Sequence, residues 1–276
     1  MFNESKLYIQ NTQNLFGSVY EGVRMDKNQK MKISIVTVTK NCGDSIEKTI
    51  KSVINQTYPE IEYLIIDGGS TDNTKEIIEK YHSNIDFFIS ENDYGTYDAM
   101  NKGLKFATGE LVHFLNGGDL FYNNNVIEEI IEIMNKSHQV DIIYGDCILY
   151  DQNENEFCSG YRSDIVQIIS RGICHQTIFS KMKVFEKCGQ FDINYRIFAD
   201  LDWLLRSLIC CHCSIEYIPK PIVYYLRGGL SDTQIGQYQS ERINIILKYA
   251  TFSQLIRFAL SDPKEFGALM KIRLIR

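Results

Sequence analysis

The architecture of this chain follows from one short stretch of sequence, Leu111-Val112-His113-Phe114-Leu115-Asn116-Gly117-Gly118-Asp119. Its first five residues are mostly apolar and predict a buried strand, which the Gly-Gly pair ends abruptly. Asp119 would then stand at the carboxyl edge of a sheet, where open α/β sheets bind their ligands. Because Gly-Gly-Asp is also ordinary turn material, the prediction depends on which other polar residues reach the same edge.

The composition indicates a globular protein with a large core. The chain has 276 residues, 44% of them hydrophobic, and a formal net charge of −6 that argues against nucleic acid as the main partner. Its first residues lack the pattern of a secretory signal, and no apolar stretch reaches the about 18 residues that span a bilayer. We therefore expect a cytoplasmic protein. The eight cysteines lack zinc-finger spacing and are predicted to be free thiols.

Strands and helices alternate in the first half of the chain. A helix with a capping-box start is predicted at Asp44, and another spans residues 98–107 and stops at Gly109. This alternation predicts an α/β fold with a largely parallel central sheet, helices on both faces and right-handed crossovers. The predicted strands are residues 33–38, 63–66, 85–89 and 111–115.

The second half of the chain is less regular. A helix is indicated around residues 201–208, and apolar residues at helical spacing beyond Ser240 predict a helical C-terminal tail. The predicted strands are residues 140–144, 147–150 and 222–226.

Three carboxylates follow predicted strands, namely Asp67, Asp93 and Asp119. Acids at this edge suit a nucleotide, because one can accept hydrogen bonds from a ribose or a base while another holds a cation that bridges phosphates. The first strand is not followed by Gly-x-Gly-x-x-Gly, and the Gly-Lys-Ser/Thr ending of a P-loop is also missing. The sequence therefore disfavours a dinucleotide dehydrogenase and a P-loop NTPase.

Three motifs occur in order: Ile33-Ser34-Ile35-Val36-Thr37-Val38-Thr39, Asp67-Gly68-Gly69-Ser70-Thr71-Asp72 and Tyr97-Asp98-Ala99-Met100-Asn101-Lys102-Gly103. With these motifs the chain resembles the glycosyltransferases of family 2, which are inverting nucleotide-sugar enzymes with a GT-A fold. The resemblance covers residues 31–232. It implies a nucleotide-binding half (31–120) and an acceptor half (121–232), with an N-terminal extension (1–30) before them and the helical tail (233–276) after them.

On the donor side, the resemblance assigns nucleoside contacts to Thr39 and Asp67, although Asp67 could instead only cap the following helix. Asp119 corresponds to the surviving carboxylate of the family's Asp-x-Asp-type motif. It would hold Mg²⁺ or Mn²⁺, which neutralises the diphosphate leaving group. Gly118 stands where relatives often carry the first acid, so weaker metal binding is expected before the donor arrives.

The predicted nucleotide-binding set also includes Asp93, Lys102 and Arg227. Lys102 faces either the phosphates or only solvent. Arg227 begins the segment Arg227-Gly228-Gly229-Leu230-Ser231, which resembles a flexible loop that closes over the diphosphate.

On the acceptor side, Ala199-Asp200-Leu201-Asp202-Trp203 resembles the family's Glu-Asp-x-Asp-type segment, with Ala199 in place of Glu. An inverting transfer needs a base that takes the proton of the acceptor hydroxyl, and we assign this role to Asp200. Asp202 is the rival base or an orienting group, and Asp200 could instead only cap its helix. His175 either packs or contacts the acceptor, and Trp203 is either a core residue or a platform for the acceptor sugar.

We therefore expect a glycosyltransferase that moves a sugar from a nucleotide-diphosphate sugar, UDP-linked, to a glycan or lipid-linked glycan. One alternative is an inactive sugar-nucleotide-binding protein, since Gly118 and Ala199 replace expected acids. The other, a sugar nucleotidyltransferase, is disfavoured because no Gly-rich basic loop follows the first strand. The chain ends in Lys271-Ile272-Arg273-Leu274-Ile275-Arg276, which is basic and apolar and suggests contact with the inner face of an anionic membrane.

Overall fold

The fold is described from a computed structural model, which covers residues 30–137, 139–151 and 155–274. The predicted N-terminal extension, apart from Lys30, lies outside the described residues, as do the last two residues of the helical tail.

Nine strands of the described residues form a single sheet with helices on both faces. The strands are β1 (Ile33–Thr39), β2 (Ile61–Asp67), β3 (Phe87–Ser90), β4 (Leu111–Phe114), β5 (Leu120–Phe121), β6 (Ile142–Tyr150), β7 (Asn155–Cys158), β8 (Phe179–Lys181) and β9 (Ile215–Leu226). Their order is β3-β2-β1-β4-β8-β6-β9-β5, and β7 pairs with β6. The helices are α1 (Ile46–Ile54), α2 (Thr74–Glu79), α3 (Thr96–Phe106), α4 (Val126–Lys136), α5 (Ile165–Arg171), α6 (Met182–Cys188), α7 (Ala199–Leu205), α8 (Leu230–Gln234), α9 (Gln239–Tyr249), α10 (Phe252–Ser261) and α11 (Pro263–Leu274).

The first four strands are all parallel, which confirms the predicted α/β class. On β1, Ile33 and Ile35 pack into the apolar layer that contains α1 and α4, whereas Val36 and Val38 pack into the opposite layer with α3. A strand whose side chains are buried on both faces is typical of a parallel sheet covered by helices. Because β1 pairs with both β2 and β4, the polar segments that follow these strands meet at one edge.

Three local predictions differ from the structure. The strands predicted at 140–144 and 147–150 are one strand, β6, with an irregularity between Tyr144 and Asp146 where it pairs with β9. Strand β9 begins at Ile215, earlier than predicted. The prediction missed its first half because Pro219 and Pro221 interrupt the sequence pattern of a strand. Helix α1 starts where expected, but the Ser45 side chain makes no capping hydrogen bond.

The predicted tail is helical and packs on the second half of the chain through α9, α10 and α11. Its anchor is Asp202 of α7, whose Oδ1 accepts hydrogen bonds from Lys248 and Tyr249 of α9, both at 2.9 Å. Within the described residues, no helix combines the length and the apolar character needed to cross a bilayer.

Candidate active site

A cavity of about 460 Å³ opens at the carboxyl edge of β1 and β4. The residues after β1 form one wall, and the Gly-Gly-Asp turn after β4 forms its floor. Among the side chains that line the cavity are Asp44, Tyr97, Asn116, Asp119, His175, Gln176, Arg196, Asp200 and Arg227. Four residues predicted from the sequence (Asp119, His175, Asp200 and Arg227) are therefore brought together in one cavity.

Asp119 is held rigidly on the cavity floor and is only 3% exposed. The backbone N–H of Leu226 donates to its Oδ1 at 2.9 Å, and the Gln176 side-chain amide donates to its Oδ2 at 3.0 Å. Burial raises the pKa of Asp119 to about 7, although these two hydrogen bonds favour the ionised form. Among the described residues, no lysine or arginine forms an ion pair with this carboxylate, so its ionised form has no direct counter-charge.

The two glycines before Asp119 are required by close packing. Gly118 has a φ of +105°, and a Cβ atom there would lie 2.8 Å from Cδ2 of Leu226. A Cβ atom on Gly117 would lie 2.7 Å from the Thr39 hydroxyl oxygen. A side chain at Gly118, an acid included, would therefore be strained by the backbone of this turn.

Asp200, in the first turn of α7, is the predicted base. Its Oδ1 accepts hydrogen bonds from the Tyr97 hydroxyl at 3.0 Å and from the Leu201 N–H at 2.8 Å. Its Oδ2 lies 3.3 Å from Nδ1 of His175, and 21% of its side chain is exposed. Burial, together with the charge of Asp200, raises the pKa of Tyr97 well above its ordinary range, so the phenol keeps its single proton, which the Ile197 carbonyl and the Asp200 carboxylate share.

One short turn connects the two acids. In the 3₁₀ turn His175–Thr177, His175 contacts Asp200 while the next residue, Gln176, holds Asp119. The Nε2 atom of His175 lies 3.2 Å from the side-chain amide nitrogen of Asn116. If this amide donates to Nε2, the proton of neutral His175 lies on Nδ1 and is donated to Asp200. The sequence showed the His-Gln pair but not the role of Gln176 or Asn116.

Two arginines bring positive charge to the cavity. Arg227, on the loop after β9, pairs with Glu156, and the φ of the next residue, Gly228, is +95°. Arg196 donates from its guanidinium to the Tyr94 carbonyl at 3.0 Å. No motif marks Arg196, so the sequence did not reveal it.

The other predicted nucleoside contacts lie behind the cavity wall. Asp67 is fully buried, and its Oδ2 accepts hydrogen bonds from the Ser70 N–H at 2.9 Å and the Ser90 hydroxyl at 2.5 Å. The Ser70 oxygen in turn accepts from the N–H of Asn41, which lines the cavity, at 2.7 Å. Asp67 thus supports the wall through Ser70. The Thr39 hydroxyl is buried beneath Gly117 and finds no hydrogen-bond partner among the residues that the structure describes.

Asp93 and Lys102 also lie outside the cavity lining. Asp93 accepts a hydrogen bond from the N–H of Gly95 at 3.0 Å, just before α3. Lys102 pairs with Glu91 at 2.9 Å and with Asp98 at 3.4 Å. Burial opposes the charge of Lys102, but these acids outweigh it and raise its pKa. The structure therefore places Lys102 in an ion-pair cluster rather than toward the cavity.

The two remaining acceptor-side candidates point into the protein. Asp202 is 1% exposed and is bonded to α9, and its Oδ2 lies 3.4 Å from the Arg206 guanidinium. Trp203 is 2% exposed and stacks on Phe185 at a centroid distance of 4.4 Å. Neither residue lines the cavity that holds Asp119 and Asp200.

A divalent cation fits this site only if a ligand completes its coordination. Within the described residues, no group of three or more histidine, cysteine, aspartate or glutamate side chains is placed to hold a metal ion. Each Asp119 oxygen accepts one hydrogen bond and keeps a second lone pair. A Mg²⁺-like ion is commonly bound by one or two carboxylates together with substrate phosphates.

The fold is shared with solved glycosyltransferases. The structure of S. aureus TarS residues 1–349 in complex with UDP-GlcNAc has a TM-score of 0.67 at 19% identity, covering 83% of this chain and 71% of that one. The mannosyltransferase PcManGT from Pyrobaculum calidifontis, in complex with GDP-Man and Mn²⁺, has a TM-score of 0.64 at 13% identity, covering 90% and 76%. These likenesses define the architecture as a glycosyltransferase fold of the GT-A type.

Sequence comparison identifies the family. The profile described as Glycosyl transferase family 2 matches residues 34–196. A PGL/p-HBAD biosynthesis glycosyltransferase of Mycobacterium bovis BCG is 30% identical over 215 residues, which cover 76% of this chain and 83% of that protein. An uncharacterized glycosyltransferase of Rickettsia typhi is 30% identical over 187 residues, covering 64% and 58%. This chain therefore belongs to glycosyl transferase family 2 and is a transferase.

Proposed function

We propose that this enzyme transfers a sugar from a UDP-linked donor to a hydroxyl group of a glycan or lipid-linked glycan, with inversion at the anomeric carbon. One observation carries the proposal: Asp119 and Asp200 line the same cavity, joined by the turn that holds His175 and Gln176. The structures of TarS in complex with UDP-GlcNAc and of PcManGT in complex with GDP-Man support a nucleotide-sugar donor.

In this mechanism Asp200 acts as the general base. Its Oδ1 is held by Tyr97 and the helix backbone, while Oδ2 lies beside His175 on the cavity side. The carboxylate takes the proton of the acceptor hydroxyl as that oxygen bonds to the anomeric carbon from the face opposite the diphosphate. The bond from the anomeric carbon to the diphosphate oxygen breaks at the same time, and the nucleoside diphosphate leaves with the bonding electron pair.

The diphosphate requires positive charge, which Arg196 and Arg227 supply at the cavity wall. Asp119 would hold Mg²⁺ or Mn²⁺ at the floor, and such a cation neutralises charge on the leaving group. A cation there would also provide the counter-charge that the buried carboxylate lacks. The donor and the metal are therefore expected to bind together, and each should strengthen the binding of the other.

The base assignment is tested with Asp200→Asn. Turnover of UDP-sugars and GDP-sugars with Mn²⁺ is measured first, by release of the nucleoside diphosphate. The variant should lose roughly 10²–10⁴-fold in kcat, the usual contribution of a positioned base, while UDP binding by calorimetry stays within a few fold. The matched control is Asp44→Asn, which changes an exposed acid of the same cavity and should keep turnover. Full turnover by Asp200→Asn would reject the assignment.

The same measurement addresses the inactive alternative, which Gly118 and Ala199 had suggested. No turnover of any donor by the parent protein, combined with tight nucleotide binding, would favour a binding protein. Turnover of GDP-sugars rather than UDP-sugars would correct the proposed nucleotide and leave the assignment of Asp200 intact.

A further inference from the structure

Helix α10 carries an apolar stripe that faces solvent. Phe252 is 79% exposed, Ile256 45% and Leu260 78%. Successive members are four residues apart, so they form one continuous row along the helix. The opposite side of α10 packs on the protein, since Phe258 is 1% exposed and lies in the core. The apolar stripe is therefore additional to the face that holds the helix on the protein.

Such a row is unusual on this protein. Most other exposed large apolar side chains of the described residues are scattered over separate elements, as Phe157 on β7 is at 59% exposure. Single exposed apolar residues are normal on a soluble protein, whereas a contiguous group marks an interaction surface. Helix α10 is firmly seated, because Thr251 forms a complete capping box with Gln254 and Arg257 pairs with Asp164 of α5.

The charge around the stripe identifies its partner. Helix α10 contains no Asp or Glu, and residues 252–274 hold four basic and two acidic residues, a local charge of +2 in a chain of −6. Glu265 pairs with Arg242 and Arg257 pairs with Asp164, while the basic Lys264 and Lys271 of α11 are exposed. An apolar row flanked by cations is the pattern of helices that lie in the surface of an anionic bilayer.

A second copy of the chain fits the stripe less well. A stable interface buries about 800 Å² on each partner, and three side chains of one helix fall short of that area. Two copies would also bring their local positive charges together. We infer that α10 docks on an anionic lipid surface, with Phe252, Ile256 and Leu260 inserted among the lipids and Lys264 and Lys271 contacting the headgroups.

This docking would place the acceptor side of the enzyme at the membrane. Helix α10 packs on α5, and the last residue of α5, Arg171, lines a second cavity that Asp200 also lines. Under the proposed function, a lipid-linked acceptor would then be held near the base. The inference itself needs no turnover, so its failure and the failure of the proposed function can be told apart.

The test is co-sedimentation of the full chain with vesicles, without substrate. Vesicles rich in phosphatidylglycerol are compared with vesicles of phosphatidylcholine alone. The parent protein should bind the anionic vesicles more tightly, and Phe252→Ser with Leu260→Ser should weaken that binding on the order of tenfold or more. Replacing Lys264 and Lys271 by Gln should weaken it about fivefold per cation. Phe157→Ser is the matched control and should bind like the parent.

Because all the replaced side chains are exposed, the variants should fold, and thermal melts would verify this. Equal vesicle binding by parent and stripe variant would overturn the inference, as would equal binding to both kinds of vesicle. The inference would also be wrong if the parent protein bound no vesicles and light scattering showed the parent to be a dimer and the stripe variant a monomer.

Discussion

Asp119→Asn should stabilise this protein at neutral pH while removing its activity. The carboxylate is 3% exposed, and the hydrogen bonds that it receives from the part of the chain described here come from two neutral donors, Leu226 N–H and Gln176. An asparagine has nearly the same shape. Its oxygen can accept from Leu226, and its amide can donate to Gln176 once the glutamine amide has rotated. The substitution therefore removes a desolvated charge without creating a cavity.

The size of the effect follows from the pKa of Asp119, which burial raises from 3.8 to about 7. At 1.36 kcal/mol for each pH unit, this rise corresponds to about 4 kcal/mol. Because the folded pKa is the higher one, the folded state keeps a proton that the unfolded chain loses above about pH 4. Relative to the variant, the free energy of unfolding of the parent protein should therefore fall as the pH rises from about 4 to about 7. Above about pH 7 the difference between the two proteins should stay constant.

The assay is urea unfolding of both proteins at pH 5 and pH 8, without metal or nucleotide. The free-energy advantage of Asp119→Asn should grow by about 2 to 3 kcal/mol between these two pH values. Asp44→Asn, at an exposed acid of the same cavity, should change stability by less than about 0.5 kcal/mol at both. An advantage that is the same at pH 5 and pH 8 would refute the reasoning, because it would not come from ionisation of a buried carboxylate.

Three further predictions concern the neighbours of the acids. Gly118→Asp should lower the free energy of unfolding by about 1–3 kcal/mol because φ at this position is +105°, and an unchanged free energy in urea unfolding would contradict the packing argument. Tyr249→Phe should cost about 1–3 kcal/mol in thermal or urea unfolding, because it removes a donor from the buried Asp202 carboxylate, and an unchanged stability would show that the bond is dispensable. His175→Ala should lower kcat more than it changes KM, on the order of tenfold, since it frees Asp200 on one side, and a change confined to KM would indicate substrate binding instead.

The parallel half of the fold could be read from the sequence because its signals are local. Apolar runs ending in Asp67 and in Gly117-Gly118-Asp119 mark strands β2 and β4, and the order of strands and helices leaves few arrangements open. The second half of the chain was harder to predict from the sequence. Strand β9 contains Pro219 and Pro221, so its periodicity is broken although it pairs with β6 over most of its length.

The orientation of side chains within the site was less predictable. Asp200 and Asp202 are two residues apart on α7, which puts them about 200° apart around the helix axis. Only one of them can face the cavity, and the structure turns Asp200 toward it and Asp202 toward α9. From the sequence alone, both residues were candidate bases. Which of them faces the cavity depends on which face of α7 packs on the core.

The sequence by itself determined the alternation of strands and helices in the first half of the chain, and with it the edge of the sheet at which Asp119 lies. Those features depend on short-range patterns of apolar residues and glycines, which act within one element. Only the tertiary structure decided that Gln176 holds Asp119, that His175 contacts Asp200, and that Arg196 joins the cavity. These contacts join residues far apart in the chain, and their geometry is set by the packing of whole elements against each other.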